Sequence, residues 1–217
     1  MAGKKRSVVR EYVEAALWAL VLTFLLRAFV IQAFRIPSES MLNTLLIGDF
    51  LFVNKFEYGP KIPFTHVRLP GLRAPRTGDI IVFQYPEDPS KDFIKRCIAT
   101  GGQTVEVRNK VAYVDGAPSA AADAHVYHLD PNISCGPDVH PFPEDAGLLT
   151  CRDNFGPYRV PPGRLFMMGD NRENSNDSRY WGTVPMDYVK GRALFIYWSW
   201  DASHFQPRWD RLFRVIY

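Results

Sequence analysis

Apolar positions along the chain follow two regimes. From Tyr12 to about Ile31 they run almost unbroken, and Ala15–Leu26 carries no charge. A helix of about 20 residues rises roughly 30 Å, the thickness of a bilayer's hydrocarbon core. Lys4, Lys5, Arg6 and Arg10 precede the run. Glu14 lies near its start and Arg27 near its outer end, where long side chains can reach the head groups. The basic flank predicts that the N-terminus stays inside and the remainder is translocated. A cleaved leader would end in an Ala-x-Ala site, which the residues after Leu26 lack. A helix lying on the surface would need a polar face, which Leu17–Leu26 does not offer. The pattern divides the chain into a cytoplasmic N-terminus (1–11), a single transmembrane anchor (12–33) and an extracytoplasmic domain (34–217).

Beyond the anchor the pattern shortens to strand-like runs separated by turn residues. Phe50–Tyr58, Ile80–Tyr85, Asp92–Ala99, Arg164–Met168 and Arg192–Trp200 are rich in β-branched and aromatic residues, and Gly59-Pro60, Pro86–Pro89 and Gly101-Gly102 punctuate them. Thr104–Val107 and Val111–Val114 form a predicted hairpin around Asn109. Residues 115–160 lose the pattern and read as a partly irregular insertion; a polar tail follows the last strand. With no helical period after the anchor, the fold class is mainly β: one transmembrane helix, then an all-β domain.

Composition narrows the function. The net charge of +3 over 217 residues is mild, and the basic residues form no stripe suited to nucleic acid. Three cysteines, Cys97, Cys135 and Cys151, are too few and too scattered for a zinc cluster. Cys97 reads as a small core residue; Cys135 and Cys151 flank one loop and read as either a disulfide or two thiols. No zinc-protease helix, P-loop or dinucleotide turn occurs, so no metal or cofactor is expected. Asp170–Asp177 fits a calcium loop poorly, because Arg172 and Ser175 fall where an oxygen ligand and a glycine belong. Three of the five histidines lie in the insertion, and nothing points to a Ser-His-Asp triad.

Two features suggest another chemistry. In Ile36-Pro37-Ser38-Glu39-Ser40-Met41, just past the anchor, Pro37 stiffens the chain and two hydroxyls stand two residues apart. In an extended chain both face one side, so one could attack while the other stabilises developing charge; taken alone, the hexapeptide reads first as a Ser-rich turn after a helix. Lys95 shares a strand face with Phe93 and Cys97, with Ile94, Arg96 and Ile98 opposite. An edge-strand lysine would look the same. If that face is buried, desolvation lowers the amine's pKa, and a shift of roughly three units from about 10.4 makes it a competent base. A serine beside such a lysine is a Ser-Lys dyad.

Five ordered segments resemble the type I signal peptidases: Ile36–Met41; Gly48-Asp49-Phe50 with Lys55-Phe56 and Tyr58-Gly59; Arg76–Phe83; Phe93-Ile94-Lys95-Arg96; and Gly169-Asp170-Asn171-Arg172 with Ser175, Asp177, Ser178 and Arg179. The resemblance leaves the central insertion unmatched. It implies a membrane-bound serine endopeptidase that removes signal peptides from exported preproteins, cutting after small residues of the Ala-x-Ala type. Ser40 would be the nucleophile and Lys95 the general base. Ser38 would supply a hydroxyl to the oxyanion hole beside the Ser40 N–H, and Ser175 would orient the lysine. Asp170, Arg96, Asp177 and Arg179 would be supporting ion-pair residues. Phe34, Ile36, Leu45, Leu51, Val82, Phe93 and Ile94 would line the substrate pockets. Glu39 and Asn43 depart from the glycine and proline common at those positions, and one span is visible where some members carry two. The expected partners are preproteins and a lipid bilayer, with no nucleic acid; the chain is expected to be a monomer in a bacterial plasma membrane, an organelle's inner membrane being the alternative. A self-cleaving Ser-Lys protease and a non-catalytic peptide-binding β domain are the competing readings.

Overall fold

The structure is a computed structural model that describes residues 8–62, 65, 67–119, 140–142 and 145–217 (backbone only for 140–142 and 145–150). Helix α1, Val8–Leu25, continues as a wider-turned helix over Leu26–Val30. None of the 23 residues Val8–Val30 is buried. So much exposed apolar surface is stable when lipid is the solvent. Arg10 pairs with Glu14 at 2.8 Å, one turn apart, near one end of the span. The helix ends earlier than the expected residue 33, because Ile31 already belongs to a strand.

The β domain is built on an antiparallel sheet. Its strands are β1 (Ile31–Arg35), β2 (Asp49–Asn54), β3 (Ile80–Tyr85), β4 (Asp88–Thr100), then β5 (Thr104–Arg108) and β6 (Val111–Val114) of a second sheet, β7 (Phe155–Arg159), β8 (Arg164–Met168) and β9 (Val189–Asp201). The main sheet runs β1-β2-β9-β3-β4-β8, extended by short strands at Val184–Pro185 and Gln206–Pro207. The second runs β7-β5-β6 and ends at Ala117–Pro118. Asn109 and Lys110 both adopt positive φ, 48° and 73°, between β5 and β6, the turn geometry that matches strand twist in a tight hairpin. Three apolar clusters form the core. Ile36, Met41, Leu45, Leu51, Val82 and Ile196 join β1, β2, β3 and β9; Phe83, Cys97, Met167 and Trp181 lie beside β4; Ile98, Val105, Phe155 and Phe166 join the two sheets.

Several expectations need correction. The strand expected over Phe50–Tyr58 stops at Asn54, whose Oδ1 accepts the Phe56 N–H at 2.9 Å and so turns the chain. β4 begins at Asp88 rather than Asp92, because the Pro86–Glu87 turn leads straight back along β3. Phe155–Arg159, inside the expected insertion, is a strand whose Phe155 and Tyr158 enter the core; its glycine and proline hid the pattern. Residues 140–142 and 145–150 pair as a short antiparallel ladder. Cys151 is disulfide-bonded, Cys97 is buried and free, and Cys135 lies outside the described residues. Trp198 is half-buried, edge-on to Trp209 at 6.2 Å, whereas Phe205 is 82% exposed.

The expected polar tail is part of the fold. Ile216 is buried in the core cluster around Leu45, and Val215 bridges Phe195. Arg211 is buried and grips Asp49 with two hydrogen bonds, Nε to Oδ1 at 3.0 Å and Nη2 to Oδ2 at 2.6 Å; Nη2 also donates to the Thr44 carbonyl at 2.9 Å. Ser199 Oγ donates to Asp49 Oδ1 at 2.7 Å. Removing one partner leaves a buried charge uncompensated, which typically costs about 3–5 kcal/mol. Arg211→Met is therefore expected to lower the unfolding free energy of the full chain in detergent by an amount in that range, with Arg211→Lys intermediate; equilibrium urea unfolding followed by tryptophan fluorescence measures it.

Candidate active site

The chain leaves β1 at Arg35, passes Pro37 and enters a run of turns from Ser38 to Leu45. The two hydroxyls come together through a bend rather than through an extended strand: Ser38 Oγ lies 3.4 Å from Ser40 Oγ. Ser40 is 8% exposed, while Ser38 is exposed. The turn is tied to the segment after β8. Asn171 N–H donates to the Ser40 carbonyl at 3.1 Å, and its Nδ2 donates to the Glu39 carbonyl at 3.2 Å. At Gly169 a Cβ would lie 2.4 Å from the Ser40 carbonyl oxygen and 2.3 Å from Ser175 Oγ, so only glycine lets these backbones approach. The Ser40 N–H has no acceptor among the described residues.

Lys95 comes from the middle of β4, opposite Ile81 of β3 and next to Arg96, where the pairing with β8 ends at Met168. It is 4% exposed, and its Nζ lies 2.5 Å from Ser40 Oγ and 5.3 Å from the Phe93 ring centroid. Burial pushes its pKa down to about 8; Asp177 and Asp170 oppose the shift and Arg179 adds to it. The two carboxylates would hold the amine protonated more firmly if they were bare, but each is taken by an arginine. Arg96 meets Asp170 face to face, Nε to Oδ1 at 2.8 Å and Nη2 to Oδ2 at 2.7 Å, and Thr44 Oγ1 donates to the same carboxylate at 2.5 Å. Arg179 meets Asp177 at 2.9 and 3.0 Å and also donates to the carbonyls of Arg152 and Arg172. Burial works to raise the Asp177 pKa, but Arg179, the Gly169 N–H and Ser175 together hold it below its ordinary value. The loop weighed for calcium thus spends both its aspartates on arginines.

Ser175 is buried against Gly169 and beside Asp177; Lys95 Nζ makes its hydrogen bond to Ser40 and none to Ser175. A cleft of about 330 Å³ opens over the pair, walled by Ser38, Ser40, Phe93, Ile94 and Lys95. Of the expected pocket residues, Phe93 and Ile94 face this cleft. Ile36, Leu45, Leu51 and Val82 are core residues, with Phe34 packed against their cluster. Asp92, Asn174 and Asn176 also wall the cleft, and sequence reasoning did not select them. Nor did it give roles to Thr44 and Asn171, whose partners are 126 and 132 residues away; the signal available was that Asn171 sits in a conspicuous polar run.

A buried amine against a buried hydroxyl, with an apolar cleft and unengaged donors beside them, suits nucleophilic acyl transfer. Comparison with known proteins agrees. The profile of the family described as "Signal peptidase, peptidase S26" matches residues 9–198. Signal peptidase I of Pseudomonas fluorescens is 33% identical, covering 96% of this chain and 80% of the relative. Signal peptidase I of Pseudomonas aeruginosa is 35% identical over 90% of this chain and 75% of the relative. A probable signal peptidase I-1 of Synechocystis is 39% identical over 94% and 87%. The chain belongs to the signal peptidase family, peptidase S26, and is a serine endopeptidase.

The close approach at Gly169 has a direct consequence. Gly169→Ala is expected to displace the Ser40 carbonyl and reduce peptide-bond cleavage by at least about 100-fold, the scale of a small misplacement at a reacting centre. Assaying the variant beside a thermal melt separates this local effect from loss of fold.

Proposed function

We propose that the chain removes N-terminal signal peptides from exported preproteins, with Ser40 as nucleophile and Lys95 as general base. The observation that carries this reading is the 2.5 Å approach of a buried Lys95 amine to Ser40 Oγ. The neutral amine takes the hydroxyl proton as Ser40 Oγ attacks the scissile carbonyl. The resulting oxyanion accepts hydrogen bonds from the Ser38 hydroxyl and the Ser40 N–H. Lysine returns the proton to the departing amine of the mature protein, leaving an acyl-enzyme. Lys95 then deprotonates a water, which hydrolyses the ester and frees the signal peptide's carboxylate. Asp170 with Arg96, and Asp177 with Arg179, support the geometry and keep carboxylate charge from pinning the lysine in its protonated form. Ser175 restricts the lysine's setting through Asp177 and Gly169. Phe93 and Ile94 favour small, apolar residues before the cut. The apolar span and the basic residues before it support a setting at the membrane surface, with the N-terminus inside and the β domain outside a bacterial plasma membrane.

Ser40→Ala and Lys95→Ala are expected to abolish preprotein cleavage in detergent. Lys95→Arg should be equally inactive, because a guanidinium stays protonated; normal turnover by Lys95→Arg would refute the dyad. Ser38→Ala should retain weak activity, about 10²–10³-fold below wild type, the usual cost of one oxyanion donor. The pH profile follows from the sign of the Lys95 shift. The base works when neutral, so kcat/KM should rise about tenfold per pH unit below the Lys95 pKa of about 8 and level off above it. A profile that keeps climbing past about pH 8 and levels off only near about pH 10, the range of an unperturbed lysine, would contradict a buried base.

A further inference from the structure

A second cleft, of about 420 Å³, lies away from Ser40 where the helical span meets the β domain. Ala28 of the span and Gln32 of β1 form one wall; Lys55, Lys61, Lys190 and Asp187 contribute to the others. Three lysines line it against Asp187, and Lys190 is also paired with Asp92, so the balance of charge is positive. The arrangement is held by the backbone: the Arg68 guanidinium donates to the carbonyls of Gly59, Met186 and Val189 at 2.5, 3.0 and 2.6 Å, so the segment carrying Lys61 is fixed beside the one carrying Asp187 and Lys190. Lys55 Nζ donates to the Arg27 carbonyl at 2.9 Å, bringing its charge to the end of the span. Lys190 shares its charge with Asp92 at 2.7 Å. Lys61 Nζ has no hydrogen-bond or ion-pair partner among the described residues. Each cation lowers its neighbours' basicity: Lys55 is pushed down by burial, Lys190 and Arg27, and Lys61 by burial, Arg68 and Lys190.

Crowded, partly desolvated like charges are costly until an anion enters among them. Lipid phosphates lie just outside the hydrocarbon layer, at the level where this span ends. We propose that this cleft binds a phosphate group, supplied by the headgroup of an anionic phospholipid, between Lys61, Lys55 and Lys190. Bound there, the lipid joins the outer end of the span to β3 and β9 and ties the domain to the membrane surface by a contact separate from its catalytic cleft.

The test uses the full chain in maltoside detergent and phosphate-free buffer, with binding read by native mass spectrometry against short-chain phosphatidylglycerol or inorganic phosphate. A saturable adduct with one phosphatidylglycerol is expected. Lys61→Gln should weaken it about fivefold, the scale of one cation near a lipid surface. Asp187→Asn, which removes the one carboxylate in the cleft wall, should tighten it by a similar factor, an effect that misfolding would not produce. Neither variant should alter cleavage of a soluble peptide. Retention of inorganic phosphate with the same response to both variants, without retention of lipid, supports the site and makes its source the free anion. Absence of a saturable adduct with either probe, or equal adducts from wild type, Lys61→Gln and Asp187→Asn, overturns the proposal.

Discussion

Burial of the Lys95 amine without a direct carboxylate partner is the constraint on which the rest of the site depends. An ammonium in an apolar setting is expensive, and a protein can relieve that cost by supplying an anion or by letting the proton go. Here Phe93 covers the side chain and Ser40 meets its nitrogen, so the second route is open. The cost is tolerated because Lys95 is held opposite Ile81 of β3, one residue from Arg96, where β4 also pairs with Met168 of β8. An edge strand would have let the lysine swing out into water.

The same constraint explains the arginines. Asp170 and Asp177 are completely buried and lie close enough to act on the lysine. Each is bound by a two-pronged guanidinium contact, which neutralises its charge and fixes its direction. Through Gly169 N–H to Asp177 at 3.1 Å and Asn171 to Ser40, the same segment holds the serine turn in place. Charge control and positioning are therefore carried by one loop, and a change there alters both together.

How much of this was legible in the sequence depended on whether cause and effect lay close together in the chain. The span, the hairpin at Asn109 and strands such as Ile80–Tyr85 are written in local periodicity. Lys95 stood out because a charge broke an apolar alternation, and the two serines because they follow a proline at the end of an anchor. The grip of Arg211 on Asp49 left no such mark: an arginine in a polar tail looks solvated until the fold brings it across 162 residues. Phe155–Arg159 was missed because its bulge at Gly156 and Pro157 breaks the two-residue period on which a strand is recognised. Ile36, Leu45, Leu51 and Val82, expected at the pockets, lie in one core cluster against which Ile94 of the cleft wall packs; periodicity tells which way a side chain faces, not how deep it lies.

The junction at Ile31 has a further consequence. The helix ends at Val30 and the first strand begins on the next residue, with Lys55 N–H closing on the Val30 carbonyl at 2.9 Å. There is no slack between anchor and sheet, so with the helix in a bilayer Ser40 is carried at a set height above the lipid. A precursor must present its scissile bond at that height, whatever its length or composition elsewhere. Selection of the cut then becomes partly a matter of measurement, with the enzyme acting as a fixed gauge and the precursor as the part that moves.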